Sequence, residues 1–131
     1  MDILAVEPEA SIAAVFGVAV ERARPGTAVR FAPDVDTAIR TVSDARRAGE
    51  APPRLVVLGP QALREASAGT VLALRESLPP SAPLLGLALD AEGLHRARVA
   101  GLEAAYRYHP HWEAFAGEVR RLMQEWILAP S

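Results

Sequence analysis

Five short apolar runs, each followed by a stretch whose apolar residues recur at helical spacing, alternate along the chain. Ile3-Leu4-Ala5-Val6 is the first run and predicts a buried strand, closed by Glu7-Pro8-Glu9. Ile12, Val15, Phe16 and Ala19 then fall on one face of a helix that Pro25-Gly26 ends. Thr27 to Phe31 predicts the second strand. Asp34 stands where it can cap a helix with Val35, Ala38, Ile39 and Val42 on its inner face. The segment from Ala48 to Pro53 contains a glycine and a proline pair and reads as a loop.

Leu55-Val56-Val57-Leu58 is apolar at every position, the pattern of a central parallel strand covered on both faces, and Gly59-Pro60 follows at once. Gln61 to Leu78 reads as mostly helical, with a break or a late helix start at Gly69, and Pro79-Pro80 ends it. Leu84-Leu85-Gly86-Leu87 predicts a fourth strand and Asp90 the cap of a short helix. Ala105 to Tyr108, introduced by Gly101, predicts a fifth strand. The last helix is expected from Pro110 to Leu128, with Trp112, Phe115, Val119, Leu122 and Trp126 in one stripe and Met123 beside it. Five strand–helix repeats with right-handed crossovers predict an α/β fold, a three-layer, doubly wound, parallel five-stranded sheet in one domain over residues 1–131.

Composition narrows the chemistry. Half of the 131 residues are hydrophobic and 23% are charged, enough to build a core without metal or disulfide. The absence of cysteine excludes disulfides, thiolate metal sites and a cysteine nucleophile. All 14 basic residues are arginine, so no lysine amine is at hand for a Schiff base or a phosphate contact. A net charge of −2 argues against nucleic acid as a partner. No run reaches membrane-spanning length and the first residues do not resemble a signal peptide, so a cytoplasmic protein without membrane partners is expected. Neither a Gly-x-Ser-x-Gly elbow nor a glycine-rich phosphate loop is present. His109-Pro110-His111 offers two imidazoles without further ligands and reads as a surface loop.

The stretch Ala100-Gly101-Leu102-Glu103-Ala104-Ala105-Tyr106-Arg107-Tyr108-His109-Pro110 resembles the Ala-Gly-Ala-Asp-x-Tyr-x-x-Lys-Pro segment of response-regulator receiver domains, with one extra residue between Gly101 and Tyr106. Ile3 to Glu9 is similar to that family's apolar first strand leading into acids. The resemblance spans essentially the whole chain and implies the sheet order 2-1-3-4-5, with the site at the C-terminal strand ends. It also implies a defined chemistry there. Two acids after the first strand and an aspartate after the third hold a divalent cation, and that aspartate accepts a phosphoryl group. A hydroxyl after the fourth strand and a lysine after the fifth contact the phosphoryl oxygens.

This sequence departs from the set at nearly every place. The acid pair is Glu7-Pro8, the acceptor position is Gly59, the hydroxyl position is Ala88 and the lysine position is His109. The resemblance therefore implies a degenerate phosphorylation pocket of Glu7, Pro8, Gly59, Ala88 and His109, with no catalytic residue and no cofactor. Glu7 and Glu9 remain as weak candidates for a cation. The function expected is a phosphorylation-independent pseudo-receiver, not an enzyme, that binds another signalling protein or output domain. Leu94, Arg96, Arg98, Tyr106 and Tyr108 are the expected partner face, with a homodimer through that face as a subsidiary expectation. Tyr106 matches the family's switching aromatic and is expected to be held in one position. A small-ligand sensor, with Gly59 and Ala88 leaving room at the strand ends, is the alternative. Residual phospho-acceptance by Glu7, Glu9 or Asp90 is a third.

Overall fold

A computed structural model describes residues 1–128. Its strands are β1 (Ile3–Val6), β2 (Val29–Ala32), β3 (Leu55–Leu58), β4 (Leu84–Ala88) and β5 (Ala104–Arg107). Its helices are α1 (Ala10–Ala23), α2 (Val35–Arg47), α3 (Pro60–Glu65), α4 (Ala68–Ser77), α5 (Ala91–Val99) and α6 (Trp112–Trp126). The strands form one parallel sheet in the order β2-β1-β3-β4-β5, as the repeats and the resemblance lead one to expect. β1, β3 and β4 are buried at every position because helices cover both of their faces. Removing each such Leu or Val from water contributes about 1.5–3 kcal/mol.

Alternation along the strands divides the core into two layers. Ile3, Ala5, Val57, Leu85 and Leu87 pack with Phe16 of α1 and Phe115, Val119 and Leu122 of α6. Leu4, Val6, Val56, Leu58 and Leu84 pack with Val42 of α2 and Leu74 of α4 on the opposite face. The register sets Val6 beside Leu58, so the chain leaves β1 and β3 at the same edge and side by side. Glu7 and Gly59 are thereby neighbours.

Asp34 and Asp90 cap α2 and α5, their carboxylates accepting from Thr37 N at 2.7 Å and Gly93 N at 2.9 Å. Several boundaries differ from the sequence reading: β4 runs one residue further, to Ala88, and α6 spans Trp112–Trp126 rather than Pro110 to Leu128. β2 starts at Val29, not Thr27, because Thr27 closes a turn onto the carbonyl of Arg24 and Ala28 N donates to the Asp2 carboxylate. β5 spans Ala104–Arg107, one residue earlier than expected, after Gly101 turns the chain at a φ of 78°. The long third helical segment breaks at Ala66-Ser67, and the new helix starts at Ala68, one residue before Gly69. Ser67 and Thr70 form a reciprocal capping box there, which starts a new helix and leaves Gly69 inside its first turn.

Arg75, at the end of α4, donates to the Glu103 carboxylate and to the Gly101 carbonyl, while Glu103 accepts from Leu84 N at 2.7 Å. α4 is thus tied to the start of β4 and to the turn before β5. Burial pushes the Glu103 carboxyl up, but the Arg75 guanidinium and the backbone N–H groups outweigh it and hold it below its ordinary 4.5. The stabilisation is complete above the unfolded-state value and is lost as pH falls through the lower folded-state value. Glu103→Gln should cost about 1 kcal/mol near neutral pH. The gap between variant and wild type in urea midpoint should close as pH drops below about 4.5.

Candidate functional site

The turn after β1 places Glu7 next to Gly59, and Gly59 has no side chain. The Glu7 side chain fills the space this leaves. A Cβ added to Gly59 would strike the Glu7 carboxylate oxygen and lie 2.9 Å from Glu7 Cβ and 3.0 Å from Cδ. Gly59 has φ −69° and ψ 174°, a conformation open to any residue, so space and not backbone strain calls for glycine.

Gly59 is also the N-cap residue of α3, where a side-chain oxygen ordinarily accepts from the second and third helical N–H groups. Glycine cannot do so. Glu7 does it from the neighbouring strand: Oε1 accepts from Gln61 N at 3.0 Å and from Ala62 N at 3.5 Å. Oε2 accepts from Glu9 N at 2.8 Å, closing the β1–α1 turn. Glu7 is only 6% exposed, and its carboxylate accepts from three backbone N–H groups. Glu9 and Pro8 are exposed. Among the described residues no three His, Asp or Glu side chains gather where they could hold a metal ion.

Ala88, the last residue of β4, is fully buried, and α5 begins directly above it. A Cβ on Gly93 would lie 3.0 Å from Ala88 Cβ and 3.3 Å from its Cα. The first turn of α5 therefore rests on Ala88. At the two positions expected to leave room for a small ligand, the Glu7 carboxylate stands against Gly59 and the first turn of α5 against Ala88. A shallow cleft remains between α3 and α5, flanked by Arg64, Asp90 and Arg96. Arg96 is already engaged, donating to the Arg64 carbonyl at 3.3 Å and to Glu92 at 3.1 Å. His109 lies half-buried two residues beyond β5.

The five residues expected to form a partner face do not share a surface. Arg96 and Arg98 are exposed on α5, and Leu94 is half-buried beneath them. Tyr106 and Tyr108 belong instead to the core layer of α1 and α6. Alternation in β5 sends Ala104, Tyr106 and Tyr108 to that side and Ala105 towards α5. Tyr108 packs on Phe115 with ring centroids 4.7 Å apart. Tyr106 is 2% exposed; its hydroxyl donates to Glu125 Oε2 at 2.6 Å and accepts from Trp126 Nε1 at 2.8 Å. Arg121 lies over its ring, 4.7 Å from the centroid. Burial and the Glu125 carboxylate push the phenol up to about 12. α6 also covers part of the free edge of β5, since Arg107 N donates to Glu118 Oε1 at 3.0 Å.

No family model matches the sequence and no curated protein matches it. Solved structures do match in fold. A response regulator in red light signaling of R. palustris superposes with a TM-score of 0.78 at 18% identity, covering 100% of this chain and 97% of that one. The phosphorylated cyanobacterial phytochrome response regulator RcpA gives 0.74 at 12% identity, covering 98% and 95%. The receiver domain of NtrX from Brucella abortus gives 0.71 at 21% identity, covering 98% and 100%. With five parallel strands in the order 2-1-3-4-5 and these neighbours, the chain has the fold of response-regulator receiver domains.

Proposed function

We propose that the chain is a phosphorylation-independent receiver-type module that works by binding another signalling protein or output domain, in the cytoplasm and without enzymatic activity. The observation that carries this reading is the pairing of Gly59 with Glu7. The residue after β3 has no oxygen to phosphorylate, and the carboxylate that fills its place is buried and bonded to three backbone N–H groups. Attack on a phosphoryl donor would need Glu7 to give up those bonds in a site without the expected hydroxyl or lysine. The face offered to a partner is the outer side of α5, where Arg98 and a 72% exposed Val99 stand in solvent.

Amide NMR of the chain with Mg²⁺ and beryllium fluoride, a phosphoryl mimic, tests the reading. No saturable shift is expected at Gly59, Gln61 or Ala88. A saturable shift centred on Gly59 would overturn it.

A further inference from the structure

We infer that the Glu7 carboxylate is a permanent internal clamp that sets the position of α3 and, through α3, of α5. This rests on the reading of α5 as the partner face and deepens it by naming what holds that face in place.

Three links make the connection. Glu7 joins the end of β1 to the first turn of α3 through Gln61 N and Ala62 N, and to the entry of α1 through Glu9 N. α3 is a helix of six residues, so a large share of its N–H groups falls in the first turn, where only an outside acceptor can satisfy them. Its Leu63 packs with Ala88 and Ala97, which brings together α3, the end of β4 and the buried side of α5. The carbonyl of Arg64, near the end of α3, accepts from Arg96 of α5. A displacement of α3 therefore disturbs α5 through an apolar contact and a hydrogen bond at once. In a domain that responds to phosphorylation, charge at the strand ends comes and goes. Here a carboxylate is built into the chain and held by backbone donors, so the arrangement is present all the time and needs neither cation nor donor.

Hydrogen exchange of the full chain, followed residue by residue at neutral pH, tests the clamp with two variants. Glu7→Ala removes the carboxylate. Glu7→Asp keeps the charge but withdraws it from Gln61 and Ala62, and serves if the alanine variant does not fold. Exchange should rise about ten-fold or more in α3 and in Leu94–Val99 of α5, with α2 and α6 unchanged. A rise confined to Gln61 and Ala62 would reduce Glu7 to a local cap and overturn the clamp. An equal rise in every element would overturn it too, as a global loss of stability. The beryllium fluoride titration of the wild type separates the two conclusions. A shift at Gly59 sinks the phosphorylation-independent reading, whereas unchanged exchange in α5 without such a shift sinks the clamp alone.

Discussion

Gly59→Asp, the substitution that introduces a carboxylate after β3, should destabilise the domain by about 3 kcal/mol or more. The new Cβ would overlap the Glu7 carboxylate and come within 2.9 Å of Glu7 Cβ. A second carboxylate would also be set against a buried one, at a place where the available N–H donors are already in use. Deleting the first acid should reverse most of the loss. In Glu7→Ala/Gly59→Asp the aspartate occupies the N-cap position of α3, where it accepts from the same Gln61 and Ala62 N–H groups that Glu7 serves now. Glu7→Ala alone, which leaves those donors and a cavity behind, should cost about 1–3 kcal/mol. Urea denaturation of the four proteins closes a double-mutant cycle. A coupling of about 3 kcal/mol or more in favour of the double variant is expected, and strict additivity would mean that the two positions do not compete for one space. The outcome shows whether position 59 can carry a carboxylate while Glu7 is in place.

The sheet was legible because apolar runs and caps are local signals. Leu55–Leu58 shows its central place by being apolar at four successive positions, and Asp34 and Asp90 announce their helices. The break before α4 was legible too, but in Ser67 and Thr70 three residues apart rather than in Gly69. The absence of an oxygen-bearing side chain at Gly59 and Ala88 could be read from the chain; what stands against those two positions could not. Glu7 and Gly59 are distant in sequence and meet only through the β1–β3 register, and Gly93 meets Ala88 only because α5 starts low over β4. A sequence signal did exist for the first pair: a long acid beside a residue with no side chain, at the ends of adjacent parallel strands. The two tyrosines carry a different lesson. Period-two alternation assigns Tyr106 and Tyr108 to one face, and the exposed Arg107 between them marks that face as the core side. The partners that fix Tyr106 come from the far end of α6, which no local pattern connects to β5.

That placement changes what a substitution at Tyr106 can report. Tyr106→Ala should cost about 3–5 kcal/mol, since it empties a fully packed site under α6. Loss of partner binding in that variant would then reflect a loosened domain. Tyr106→Phe keeps the ring and removes the hydroxyl, leaving Glu125 and the Trp126 indole N–H without their mutual partner, at a cost of about 1–2 kcal/mol. The emission of Trp126 should shift, because its indole loses a hydrogen bond at a half-buried site. The phenylalanine variant should also behave differently in alkali. The phenol is raised from 10.0 to about 12, so its protonated form is favoured by folding; that stability is complete below about pH 10 and is lost as pH rises through 12. Wild type should therefore converge on Tyr106→Phe over that interval, and a constant gap would place the stabilisation elsewhere. Arg98→Glu, on the exposed side of α5, should change stability by less than about 0.5 kcal/mol. A partner released by Arg98→Glu and retained by Tyr106→Phe would be docking on α5. A partner released only by the tyrosine variant would be reading the packing of α6 against β5, and the α5 face would not be its site.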